Sequence, residues 1–216
     1  MRRVPVRLAA LGAAAALAAG AAGCDAAGGD GDALHGVVRA EPLEVGAVAL
    51  PDVAPAALRA GGVLDPDGRL VMRAAEDRLL LVFFGFLNCP DVCPTTLADL
   101  RAALRRLPAA EADRVDVAFV TVDPDRDGPA ELAAYLPAFL ARFHALRAEP
   151  AALRPALDAF LASAEVTVDA DGEVDVAHSA VLYAVDAAGR VVIEWPFGTS
   201  ATALADDLGV LLGRAA

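Results

Sequence analysis

Residues Leu79 to Phe86 read LLLVFFGF, and Leu87 joins them to Asn88-Cys89-Pro90-Asp91-Val92-Cys93-Pro94. An apolar run of this length without polar alternation suits a strand buried on both faces, the kind found inside α/β sheets. Leu97, Leu100, Leu104 and Leu107 then recur at three- and four-residue spacing, which predicts a helix. Pro94 suits the first helical position and would put Cys93 at the N-cap. The partial positive charge of a helix start favours thiolate over thiol, and thiolate both attacks disulfides and binds metal. A buried strand that hands over to a helix through a loop with two cysteines therefore sets the fold class and the place of the chemistry together.

Downstream of this unit, a second strand is expected from Val115 to Val122, ending at Asp123-Pro124-Asp125-Arg126-Asp127. That segment serves either as a turn with helix-start chemistry or as part of a site, because open α/β sheets place their sites at this strand edge. Gly128-Pro129-Ala130-Glu131 opens a helix with Leu132, Tyr135, Leu136, Phe139 and Leu140 on one side, which Pro137 should kink or shorten. A third helix centres on Leu153, Leu157, Phe160 and Leu161. Val166 to Val168 and Glu173 to Val176 flank an Asp-Ala-Asp-Gly turn, with His178 just beyond. Ala180 to Val185 and Arg190 to Trp195 form a hairpin across Asp186-Ala187-Ala188-Gly189, and a helix carrying Leu204, Leu208, Leu211 and Leu212 closes the chain. Upstream, Asp65-Pro66-Asp67-Gly68 predicts a hairpin turn between Val63-Leu64 and Leu70-Val71-Met72. The order is α/β with a mixed sheet. Trp195, Phe197 and Tyr183 are expected in the core, and His35 and His144 in structural or merely solvated roles.

The N-terminus has a different character. Arg2, Arg3 and Arg7 precede an uncharged, Ala-rich stretch from Leu8 to Gly23, followed by Cys24 and Asp25. This reads as a secretion signal over residues 1–23, since a spanning helix needs about 20 strongly apolar residues. A retained anchor is the alternative. Ala21-Ala22-Gly23-Cys24 resembles the lipobox of bacterial lipoproteins, which makes Cys24 the candidate lipidation site. Residues 24–36 are Gly, Ala and Asp with little to bury and are expected to form a tether, with the folded domain over 37–216.

The chain of 216 residues carries 18 basic residues, all Arg, against 30 acidic ones, a net charge of -12. That balance argues against a nucleic-acid partner. It also argues against attachment to anionic lipid, which would repel such a body, so attachment rests on the lipid at Cys24 and not on a basic patch. With Cys24 committed to lipid, Cys89 and Cys93 remain as an even pair. They can close into a disulfide or converge on one ion. A purely structural disulfide would stabilise little across so short a loop.

The stretch Gly85 to Pro94 resembles the signature of the Sco/SenC family of thioredoxin-like copper chaperones. The resemblance extends to Asp123 to Asp127 and to His178-Ser179, and spans roughly Val63 to Gly213. It implies a thioredoxin-like fold, a mixed central sheet flanked by helices with an extra N-terminal hairpin, and copper bound by Cys89, Cys93 and His178. Ala177 stands where many members have Asp. Thiolates suit Cu(I) and imidazole suits Cu(II), so this donor set accommodates copper in either state, although zinc also accepts three such ligands and a water. The resemblance further implies delivery to the binuclear copper centre of cytochrome oxidase subunit II, at the outer face of the bacterial cytoplasmic membrane, with another copper chaperone or a thiol reductase as further partners. A thiol-disulfide oxidoreductase using Cys89 and Cys93 is the alternative, and a thiol peroxidase ranks below it. Three residues between the cysteines, where dedicated disulfide exchangers usually carry two, favour the metal reading.

Overall fold

A computed structural model describes residues 34–214; the expected signal, the lipidation site Cys24 and most of the expected tether lie outside the described residues. Two short strands come first, β1 (Ala49–Leu50) and β2 (Leu70–Val71), paired antiparallel with each other. The turn at Asp65 to Gly68 forms as expected, with Asp65 N–H bonded to the Arg69 carbonyl. Val63-Leu64 pairs with β2 across that turn, through the Leu64 to Leu70 bridge and the Val71 amide on the Val63 carbonyl at 2.8 Å, and β2 also takes a second partner, β1, 20 residues upstream. The predicted local hairpin therefore forms, and β1 is an added strand beside it.

The central sheet is built on β3 (Leu79–Gly85), followed by α1 (Val92–Leu104), the short α2 (Ala109–Ala112) and β4 (Val115–Thr121). β3 runs parallel to β4, with Leu79 opposite Val115 and Gly85 opposite Thr121, and every residue of both strands is buried. This is the expected position for an uninterrupted apolar run. Next come α3 (Pro129–Tyr135), a 3-10 turn over Leu136–Ala138, and β5 (His144–Leu146). Pro137 ends the α-helical ladder because it lacks an amide hydrogen. β5 has three residues, too few to show a period of two, and pairs parallel with β4. Its His144 is buried between elements: Nδ1 lies 2.8 Å from Asp52 Oδ2, and Nε2 lies 2.6 Å from the Gly61 carbonyl. It holds the N-terminal segment to the sheet and belongs to no metal-ligand cluster among the described residues.

α4 (Pro150–Ala159) leads into β6 (Ala164–Val168) and β7 (Val174–His178), a separate two-stranded hairpin. β8 (Val181–Val185) and β9 (Val191–Pro196) complete the sheet in the order β5-β4-β3-β8-β9, with β8 antiparallel to β3. Their connecting turn needs Gly189 at φ +79°, where its Cα approaches Gly46 so closely that a Cβ would meet backbone at 2.4 Å. α5 (Ala201–Arg214) lies against α1. Trp195 and Tyr183 are core residues as expected, but Phe197, one step past β9, is 43% exposed. Asp207 of α5 binds the Trp195 indole N–H at 2.7 Å and the amides of His35 and Gly36 at 2.8 and 2.9 Å.

Candidate metal centre

β3 delivers the chain to the sheet edge, and Gly85 at its end sets how close the next helix comes. A Cβ on Gly85 would stand 3.0 Å from Cys93 Sγ and 2.9 Å from the Phe119 ring. Only glycine lets the sulfur settle there. α1 begins at Val92 with Asp91 in the N-cap place, so Cys93 lies inside the first turn and not at the cap. Pro94 is tolerated because first-turn amides have no partner within the helix.

The fold brings the three predicted ligands together. Sγ of Cys89, Sγ of Cys93 and a ring nitrogen of His178 all lie within 4.8 Å of one another. Cys93 Sγ is 3.6 Å from His178 Nε2. His178 ends β7 and directly precedes β8, the antiparallel neighbour of β3, and that adjacency carries the imidazole to the cysteine loop. Nδ1 is 3.0 Å from the Ser179 carbonyl, so it carries the hydrogen and donates it, leaving the lone pair of Nε2 toward the sulfurs. With Ala177 beside it, this carbonyl takes the orienting role a carboxylate often fills. Phe83 and Phe86 stand edge-on to the ring, at centroid distances of 6.2 and 5.6 Å. Burial holds His178 below the ordinary histidine value, which favours the neutral, ligating form.

The sulfurs differ. Both cysteines are free thiols, Cys93 fully buried and Cys89 9% exposed. Helix-start charge was expected to favour thiolate. Burial instead pushes the Cys93 thiol far up, because removal from water outweighs the helix end at this depth. The amide of Cys93 donates to Cys89 Sγ at 3.2 Å, so the helix start serves the first cysteine. A cation bound between the sulfurs would supply the charge that burial denies a lone thiolate.

The Asp123 to Asp127 segment divides between its two readings. Asp123 pairs with Arg126 within the turn. Asp127 is buried, accepts the Leu87 amide at 3.1 Å and the Thr121 hydroxyl at 2.6 Å, and so ties the start of the cysteine loop to β4. Burial raises its carboxyl. Tyr135 was read only as an apolar helix position. Its hydroxyl is buried without a hydrogen-bond partner among the described residues, and burial, with the two cysteines and Asp127 close by, pushes it up to about 12. A tyrosine on the apolar face of a helix that leaves a site-bearing strand edge was the available signal.

A mixed sheet with a cysteine pair at the strand-to-helix turn, faced by a histidine from the strand hairpin beyond it, defines a thioredoxin-like domain able to chelate one soft metal ion. The chain belongs to the SCO1/SenC family, whose model matches residues 63–213. It is 30% identical over 149 residues to an SCO2-like protein of Rickettsia typhi, covering 68% of this chain and 73% of that one. The chain spans little more than half the length of the first curated relatives it matches. Among solved structures it resembles apo Sco1 of Thermus thermophilus, with TM-score 0.69, 32% identity, and 85% and 99% of the two chains covered. It also resembles ScoI of Bradyrhizobium japonicum with copper bound, with TM-score 0.60, 28% identity, and 78% and 96% covered.

Proposed function

We propose that this protein is a copper metallochaperone that holds one copper ion at Cys89, Cys93 and His178 and passes it to the binuclear copper centre of cytochrome oxidase subunit II. The observation that carries the reading is the meeting of two free sulfurs and a ring nitrogen within 4.8 Å, the imidazole oriented by the Ser179 carbonyl. The donor set fits the cargo. Two thiolates suffice for Cu(I), and the imidazole adds a donor that Cu(II) prefers. Three ligands at a loop edge also leave room for an incoming ligand, which a closed four-ligand site does not. Lipid at Cys24 places the domain on the outer face of the cytoplasmic membrane.

Loading requires proton loss. Both thiols give up hydrogens as the cation arrives, so loading is favoured as pH rises. Cys89, at the more open position, is the first sulfur the cargo meets, and Cys93 and His178 close behind it.

A second reading, thiol-disulfide exchange that keeps the oxidase cysteines reduced, draws on the free thiols and the partial access to Cys89. An anaerobic titration of the reduced chain with copper tests the first reading. One equivalent should bind, and Cys89→Ser or Cys93→Ser should abolish stable binding; binding that survives both substitutions would overturn the assignment. Deletion should lower oxidase activity without lowering subunit expression, most clearly at low copper. Rescue of that defect by His178→Ala, but not by the cysteine variants, would favour exchange over delivery.

A further inference from the structure

A cavity of about 410 Å³ opens at the far end of the sheet from the cysteine loop. It lies where β3 and β4 begin, beside Arg78, Val115 and Val117, whereas the cysteines follow the C-terminal end of β3. A seven-residue strand separates the two ends by roughly 20 Å at about 3.3 Å per residue. Its volume falls in the range of small-molecule sites. Leu104, Val117 and Leu140 give part of its lining an apolar character, Val117 and Leu140 being buried.

The rim carries Arg101, Arg105 and Arg142. In a chain of net charge -12, three guanidiniums around one opening contrast with the rest of the composition. Arg78 is already satisfied, bonded to both oxygens of Asp116 at 2.7 and 2.6 Å. The other three have no carboxylate partner among the described residues. Arg101 donates through Nη1 to the Ala138 carbonyl at 2.8 Å, and Arg142 through Nε to the Arg59 carbonyl at 3.3 Å. These bonds fix two of the guanidiniums and use only one donor of each, out of five. Against the three stands one exposed carboxylate in the lining, Asp113.

From this geometry we infer a second ligand site, for an anionic amphiphile: a phosphate or carboxylate head held by Arg101, Arg105 and Arg142, with an alkyl chain on Leu104, Val117 and Leu140. Guanidiniums bind such oxyanions through paired, charge-assisted hydrogen bonds, and an anion relieves the repulsion among the three. Head and chain are both needed, since a bare anion leaves Leu104, Val117 and Leu140 wet and an uncharged chain leaves the guanidiniums unpaired. Occupied from a bilayer, this end faces the membrane and the cysteine loop faces away.

The test is titration of the full chain with octyl phosphate below its micelle concentration, followed by amide chemical shifts. Saturable shifts at Arg101, Arg105, Leu104, Val117 and Leu140 are expected, with inorganic phosphate and octanol each at least about tenfold weaker. Arg101→Gln, Arg105→Gln and Arg142→Gln together should weaken octyl phosphate by about tenfold or more while leaving circular dichroism and copper binding unchanged. Absent or non-saturable shifts at the cavity, or equal binding by the triple variant, would overturn the site. The copper titration of the same samples reports separately on the metal reading. Flotation with phosphatidylcholine vesicles, with and without phosphatidylglycerol, then distinguishes the sources. An arginine-dependent gain with phosphatidylglycerol assigns a membrane lipid, and octyl phosphate binding without that gain assigns a free amphiphile.

Discussion

Cys93 Sγ and His178 Nε2 stand 3.6 Å apart although 85 residues separate them in the chain. The sulfur is fixed by the approach of α1 to Gly85, and the ring by Ser179, Phe83 and Phe86. Each side is therefore positioned before any ion arrives, which lowers the ordering cost of binding.

His178→Ala should weaken Cu(II) by more than about tenfold, above roughly 1.4 kcal/mol, and Cu(I) by less, because two sulfurs still satisfy the softer ion. Competition titrations in each oxidation state measure the two losses. An unchanged Cu(II) affinity and visible spectrum would remove the imidazole from the site.

Oxidation should join Cys89 to Cys93 and exclude copper, since the disulfide has neither the charge nor the donor strength of two thiolates. Intact-mass measurement of aerobic protein should find either bound copper or the loss of two hydrogens. A species with copper bound and the disulfide closed contradicts the exclusion.

Gly85→Ala should damage the fold and the site together. The added methyl meets Phe119 at 2.9 Å and Cys93 Sγ at 3.0 Å, and overpacking of this kind costs about 1–3 kcal/mol. Urea denaturation of the apo protein reads the first effect and copper titration the second. A variant with wild-type stability and affinity would show that Cys93 is free to shift.

Asp52 makes stability depend on acid. Burial alone would raise its carboxyl, but hydrogen bonds from His144 and the Ala54 amide, with the charges of His144 and Arg59, hold it below the usual range. Its contribution is thus fully present above the ordinary carboxylate value of about 3.9 and is lost as pH falls through the lower folded value. Asp52→Asn should destabilise the chain by about 3 kcal/mol at neutral pH, because Arg59 loses its counter-charge and His144 its carboxylate partner. The gap between variant and wild type should close in acid. Equal denaturation midpoints at pH 7 would show the pair to be dispensable.

The residues from Leu79 to Leu107 determined the buried strand, the helix after it and the cysteine pair between them, because those signals are local: an apolar run, a spacing of three and four, a proline at a helix start. Ligand identity was legible for the same reason, as a motif, with His178 named through its family pattern. Only the tertiary structure decided what depends on distant neighbours. β2 gained the distant Ala49–Leu50 as a second partner beside its local one, and three residues became β5 by lying beside β4. The Cys93 thiol was pushed up, against the helix-start expectation, because desolvation is exerted by everything packed around a sulfur and not by its position in a helix. Arg101 and Arg142 look in sequence like ordinary surface charges; the cavity they share exists only because α1 and the Pro137 to Arg142 segment meet over the start of β4. Chain spacing records the period of an element, whereas burial and convergence belong to the elements' contacts.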